Sequence, residues 1–213
     1  MAPNLASLLT LMLVTDDAMV AGRDLPGLAR AAERGGATAV QLRLKRASAR
    51  ELSAAARVLR DVVGVPVLVN DRLDVALAAG AAGVHLGPDD LPVELARRIT
   101  PPGFIIGASV GSPEEAAAAH GADYWGVGPW RATGTKADAG EALGADGFRR
   151  IAALAGEIPC VAIGSLRPED VAEVRAAGGA GVAVVSGILG AGDVEAAARR
   201  YAEAWPRREA GSP

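Results

Sequence analysis

The stretch GAAGVHLGPDD, residues 80–90, ends one kind of structure and begins another. Gly80 and Ala81 follow an alanine-rich run, and GVHL then reads as a short apolar strand. The same join recurs as GGATAVQL at 35–42, GADYWGVG at 121–128 and GGAGVAVV at 178–185. Each is a helix-ending glycine and alanine that feeds a strand, and repetition at this scale sets an architecture. Between the joins lie segments with apolar residues at helical spacing. ARELSAAARVLRDVV (49–63) is one, and PEDVAEVRAAG (168–178), which opens on a proline in its first turn, is another.

Strand-like runs fall at 9–14, 38–43, 65–69, 83–86, 104–108, 124–128, 159–163 and 181–185, eight in all. Most lack the polar alternation of a half-exposed sheet, as expected of parallel strands covered on both faces. Eight such strands with intervening helices predict an α/β fold, a single (β/α)8 TIM barrel over residues 1–206, followed by a polar C-terminal tail at 207–213. A doubly wound open sheet is the structural alternative, but no GxGxxG follows the first strand.

Composition narrows the function. The 213 residues are half apolar, enough for one large core and too few for a second domain of similar size. A net charge of −3 and an aromatic content of 3% leave neither a basic stripe nor a stacking surface, so nucleic acid is not an expected partner. The run from Leu8 to Val14 has no positive region before it and ends at Thr15-Asp16-Asp17, short of a membrane span. It reads as a first strand in a cytoplasmic protein. Cys160, the one cysteine, sits in IPCVAIG as a small buried apolar residue.

In a barrel the reactive groups stand at the C-terminal ends of the strands. Strand two ends in QLRLK, where alternation puts Gln41, Arg43 and Lys45 on one side of the chain, an amide and two cations suited to a polyanion. Lysine is rare here: Lys45 and Lys136 are the only two among 22 basic residues. Strand three ends in Asn70-Asp71 and strand four in Asp89-Asp90. Two close carboxylates repel unless protonated or bridged by a cation, and Mg²⁺ takes one or two carboxylates completed by substrate phosphates. Both aspartates also precede helical segments, where N-capping is the ordinary role. Ser109 ends strand five and either meets a ligand or caps the segment SPEEAAAAH. The last two strands run into Gly164-Ser165 and Val185-Ser186, where such barrels often hold a phosphate. His85 reads as a packed strand residue and His120 as a helix-end cation, neither assigned to chemistry.

Together QLRLK (41–45), VNDRLDVALAAGAAGVHLGPDD (69–90), IIGAS (105–109), GADYWGVGP with TGTK (121–136), VAIGS (161–165) and GVAVVS (181–186) resemble the thiamine phosphate synthase family along nearly the whole chain. The resemblance implies a Mg²⁺-dependent transferase on a (β/α)8 barrel. Such an enzyme joins 4-amino-2-methyl-5-(diphosphomethyl)pyrimidine to a thiazole phosphate and releases pyrophosphate in a dissociative substitution. By the same resemblance, Gln41, Arg43, Lys45, Asn70, Ser109 and Lys136 hold the pyrimidine diphosphate, with Arg43, Lys45, Ser109 and Lys136 catalytic. Asp71 and Asp90 ligate Mg²⁺. Thr133, Gly134, Thr135, Gly164, Ser165, Val185 and Ser186 surround the thiazole phosphate. The implied partners are small phosphorylated molecules, with no nucleic acid and no membrane, and a homo-oligomer and a monomer are both open.

Four positions depart from the family pattern. Leu44 stands where glutamate is usual, Pro88 where glutamine is common, Ser165 in place of the second glycine of a turn, and Gly111 at a position often held by histidine. Leu44 is expected to point away from Arg43. Ser165 is disfavoured if its backbone must adopt φ > 0. Two rival readings follow: a thiazole tautomerase-like isomerase on the same fold, which typically uses the histidine replaced here by Gly111, and a non-catalytic phosphate-ligand binding protein.

Overall fold

A computed structural model describes residues 5–132 and 141–205. Eight parallel strands close a barrel in sequence order: β1 Leu11–Val14, β2 Ala39–Leu42, β3 Val67–Asn70, β4 Gly83–Leu86, β5 Ile105–Val110, β6 Tyr124–Val127, β7 Cys160–Ile163 and β8 Gly181–Val184. β8 pairs back onto β1 with Leu11 opposite Val182, which excludes the open doubly wound sheet. Helix α1 Leu5–Leu8 precedes the strands, and α2 Asp17–Val20, α3 Leu25–Arg34, α4 Ala49–Val62, α5 Leu73–Ala79, α6 Val93–Ile99, α7 Pro113–Ala118, α8 Gly144–Ala155, α9 Val171–Ala176, α10 Ser186–Leu189 and α11 Val194–Ala204 lie between or after them. The long ones form the outer ring, and α11 closes it by packing against α3, where a Cβ on Gly35 would stand 2.4 Å from the Glu195 carbonyl oxygen.

The repeated join works as its residues require. Gly80 terminates α5 in the left-handed region at φ 66, and the Ala81 amide donates to the Ala76 carbonyl, so the chain reverses into β4. Gly36, Gly121 and Gly178, one in each of the other joins, likewise have positive φ. Helix α4 begins with a reciprocal capping box between Ser48 and Glu51. It then lays Leu52, Ala56 and Leu59, spaced by four and three residues, against the strands.

Two cores result. One fills the shell between strands and helices. The other fills the barrel interior with Leu9, Met12, Val14, Ala39, Leu68, Tyr124, Val161 and Ala183. The N-terminal run differs from expectation: Leu5–Leu8 forms one helical turn, and the strand starts at Leu11. Leu9 is buried and Leu5 packs on the interior cluster, so these residues cap the barrel's lower end instead of extending β1. Burial holds the Cys160 thiol protonated, pushing its pKa up to about 12. Among the described residues, no helix is long and apolar enough to cross a membrane.

Candidate active site

A cavity of about 450 Å³ opens at the C-terminal ends of the strands. Gln41, Arg43 and Lys45 line it together, as strand alternation requires, although Arg43 and Lys45 lie just past the end of β2. The turn is held from β1. The Arg43 amide donates to the Thr15 hydroxyl (2.8 Å), which itself donates to the Arg43 carbonyl (3.0 Å). The Asp17 carboxylate accepts from the amides of Lys45 (2.8 Å) and Arg46 (3.2 Å). The Arg43 guanidinium is paired with Asp16 at 3.1 Å, both side chains largely buried. These aspartates ended the first strand in the sequence, and nothing in their spacing pointed to their work across the rim.

Asn70 and Asp71 line the same cavity at the end of β3, and Asp90 does so beyond β4. Asp71 has φ 63 in a tight turn in which the Arg72 amide donates to the Asn70 carbonyl at 2.7 Å. A non-glycine residue held there stores about 1 kcal/mol or more of backbone strain. The Asp90 carboxylate accepts from the Gly87 amide at 2.6 Å. Neither aspartate caps a helix, since the cap positions of α5 and α6 are Arg72 and Pro92, without side-chain caps. Burial first, and the facing Asp71 carboxylate second, raise the Asp90 pKa above the ordinary carboxylate value, against the pull of the Gly87 amide and Lys45. Two carboxylates facing each other in this way fit a divalent cation. Among the described residues no third metal-ligating side chain joins them, which suits Mg²⁺ completed by phosphate oxygens and water.

The cavity floor is a polar cluster drawn from four strands. His85 Nδ1 is 2.9 Å from the Tyr124 hydroxyl, and Nε2 is 3.0 Å from Ser109 Oγ. Gln41 stands beside them, its amide nitrogen 3.5 Å from the Met12 sulfur, and it pulls the Tyr124 pKa down against burial. Space for the rings comes from glycines. A Cβ on Gly107 would sit 2.2 Å from Tyr124 Cζ, and one on Gly126 would sit 2.9 Å from His85 Cε1. Ser109 therefore does not cap the following helix; Ser112 does, accepting from the Glu115 amide at 3.2 Å. His120 lies past the end of α7 and away from the cavity.

Opposite the carboxylates, Gly164, Ser165, Val185 and Ser186 line the remaining wall. Gly164 has φ 106, and a Cβ there would stand 2.7 Å from Pro129 Cβ. Ser165 adopts φ 50, the left-handed backbone that its sequence position put in question, and its hydroxyl donates to the Ala132 carbonyl at 3.1 Å. Arg131 forks onto the buried carboxylate of Asp170, which also accepts from the Arg167 amide at 2.7 Å, tying the end of β6 to the segment after β7. Burial alone would raise the Asp170 pKa, but Arg131 and the Arg167 amide hold it below its ordinary value. Thr133, Gly134, Thr135 and Lys136 lie outside the described residues.

Of the departures, Leu44 packs against the outer core and not into the main cavity, as its alternation with Arg43 requires. Pro88 and Gly111 line the cavity. The Gly111 amide donates to the Glu115 carboxylate at 2.5 Å, and a Cβ on Gly111 would lie 3.0 Å from the Gly128 carbonyl oxygen. The backbone here is thus closed around a glycine. Tyr124, Arg131 and Asp170 were not singled out from the sequence, because each acts through a partner 39 residues away; Glu115, which holds the Gly111 amide four residues before it, was not singled out either.

The thiamine monophosphate synthase family model matches residues 11–188. Thiamine-phosphate synthase of Methanoculleus marisnigri is 54% identical over 194 residues, covering 89% of this chain and 92% of that protein. The Moorella thermoacetica thiamine-phosphate synthase is 49% identical, covering 87% of this chain and 90% of that one. Among solved structures, thiamine phosphate pyrophosphorylase from Pyrococcus furiosus superposes with a TM-score of 0.84 at 39% identity, covering 94% of this chain and 97% of that one. Sequence and fold agree over most of the length, and the chain belongs to the thiamine monophosphate synthase family, a family of transferases.

Proposed function

We propose that this chain joins 4-amino-2-methyl-5-(diphosphomethyl)pyrimidine to a thiazole phosphate, forming thiamine phosphate and pyrophosphate. The observation that carries this reading is the meeting of Asp71 and Asp90 with Arg43 and Lys45 at one rim of the cavity. A simple phosphate binder gains nothing from two facing carboxylates, whereas a diphosphate leaving group needs positive charge, and two carboxylates can hold a divalent cation against it.

In the reaction the carbon–oxygen bond to the diphosphate breaks first, and its electron pair leaves on the pyrophosphate oxygen. The resulting pyrimidine methylene cation is captured by the thiazole nitrogen lone pair, forming the carbon–nitrogen bond and leaving the positive charge on a thiazolium ring. Asp71 and Asp90 would hold Mg²⁺, which when bound would neutralise charge on the diphosphate. Arg43 and Lys45 add fixed cations whose positions are set beforehand by Asp16 and by the backbone bonds to Thr15 and Asp17. Gln41, Asn70 and Ser109 orient the pyrimidine diphosphate. Gly164, Ser165, Val185 and Ser186 offer backbone and hydroxyl groups to the thiazole phosphate, aligning its nitrogen with the cation. No strong acid or base is required, because no proton moves in either bond change. Lys136 and residues 133–135 are assigned to the two substrates by resemblance.

Incubating the protein with both substrates and Mg²⁺ and measuring pyrophosphate tests the reading. Release that requires both substrates and metal is expected. Isomerisation of the thiazole alone without metal would favour the tautomerase alternative, and phosphate-ligand binding with no turnover would favour the non-catalytic one.

A further inference from the structure

The floor cluster has a direction. The Tyr124 hydroxyl is buried, and burial raises its pKa far above the ordinary phenol value, so it keeps its single proton. Gln41 beside it acts in the opposite sense, lowering that pKa. The amide nitrogen of Gln41 also faces the Met12 sulfur at 3.5 Å, and a thioether accepts but cannot donate. Among the described residues the hydrogen-bond partner of this buried hydroxyl is His85 Nδ1, 2.9 Å away, and a buried hydroxyl proton left without an acceptor is costly, so the proton points to that nitrogen.

An Nδ1 that accepts leaves the neutral imidazole with its hydrogen on Nε2. That hydrogen faces Ser109 Oγ at 3.0 Å. Ser109 then has one lone pair engaged from below, and its proton turns toward the cavity that the residue lines. A group meeting this hydroxyl must accept, as a diphosphate oxygen or an aromatic ring nitrogen does. The glycines at 107 and 126 leave space for the two rings of the relay to stack between strands.

We infer that Tyr124 and His85 are positioning residues, forming a one-way relay from the buried phenol that fixes Ser109 as a hydrogen-bond donor to the pyrimidine diphosphate. The identity of that ligand rests on the proposed function; the relay itself does not.

The chain has two histidines, so ¹⁵N-labelled protein gives two imidazole spin systems, assigned with a His120→Gln variant. The expected spectrum has His85 neutral and protonated on Nε2, with that preference lost in Tyr124→Phe. A wild-type His85 protonated on Nδ1, or on both nitrogens at neutral pH, would overturn the relay.

Kinetics test the action through Ser109. Tyr124→Phe and Ser109→Ala should each lower kcat/KM for the pyrimidine diphosphate by about 5- to 10-fold, the scale of one hydrogen bond, with KM for the thiazole phosphate within about 2-fold. The double variant should be no worse than Ser109→Ala. Losses that multiply would overturn the proposal. His85→Gln, whose amide nitrogen reaches the Nε2 position, should keep the rate within about 3-fold, and His85→Leu should not. This pair carries the same test if Tyr124→Phe fails to fold, and equal rates in the two would count against the relay. Absence of product from the wild-type protein would overturn the proposed chemistry and leave the nitrogen spectrum to decide the relay.

Discussion

Lys45 Nζ lies 3.5 Å from Asp71 Oδ2, linking the turn after β2 to the turn after β3 across the cavity rim. Nearly half of the lysine side chain is exposed, so the pair contributes at most about 1 kcal/mol to folding. Its position at the mouth therefore matters for ligands more than for stability. Lys45→Ala is expected to melt within about 4 °C of the parent while lowering turnover by roughly 10²-fold, the scale of losing one preorganised charge stabiliser. Lys136→Ala should show a rate loss of at least the same order. Steady-state rates alongside thermal unfolding check both.

Removing a carboxylate from the Asp71–Asp90 pair should separate stability from binding. Asp90→Asn relieves the burial and repulsion that raise its pKa, so the variant should be as stable as the parent or slightly more so. The parent should melt higher when Mg²⁺ and pyrophosphate are added together, by mass action on the folded state. Asp90→Asn and Asp71→Asn should lose most of that shift. An undiminished shift would separate these carboxylates from the metal.

The Arg131–Asp170 pair gives a pH dependence with a defined sign. The Asp170 pKa is depressed in the folded protein below its ordinary 3.8. The pair therefore stabilises above that value, and its contribution is lost as pH falls through the folded pKa. Asp170→Asn should be less stable by about 1–2 kcal/mol at neutral pH, the range for a hydrogen-bonded charge that is partly solvated. Denaturant unfolding from pH 7 downward should find the gap steady until about pH 4 and closing below it.

Two neighbouring positions should respond unequally to a change in side chain. Gly164→Ala combines φ 106 with a Cβ only 2.8 Å from the Pro129 Cα, and should cost about 2–4 kcal/mol. Ser165→Gly relieves about 1 kcal/mol of left-handed strain. It loses the bond to the Ala132 carbonyl and gains chain entropy in the unfolded state, each worth a similar amount. The net loss is about 1 kcal/mol, so its melting temperature should fall by only about 2–4 °C, and calorimetry on both variants distinguishes the two effects.

The barrel was legible because each join carries its own signal. The glycine-alanine junctions before β2, β4, β6 and β8 are local, and their helix ends and strand starts depend on a few adjacent residues. Gln41, Arg43 and Lys45 were also readable, since alternation along one strand fixes their common side. The start of β1 was less so: Leu8 and Leu9 are as apolar as strand residues, yet Leu8 ends a helical turn and Leu9 and Thr10 bend the chain before Leu11, with Leu9 packed into the barrel's lower end. The partners of His85 lie 39 and 24 residues away, and inter-strand register alone brings them to it. For the same reason the N-cap reading of Asp71 and Asp90 could be rejected only once the helices were seen to start at Leu73 and Val93.

The central claim concerns where a diphosphate and its metal settle. Crystals grown with pyrophosphate and Mn²⁺ in place of Mg²⁺ would locate the metal by its anomalous scattering. The account predicts a single strong peak between the carboxylates of Asp71 and Asp90, with pyrophosphate reaching Arg43 and Lys45. Metal and pyrophosphate bound elsewhere, with these four side chains uninvolved, would contradict it.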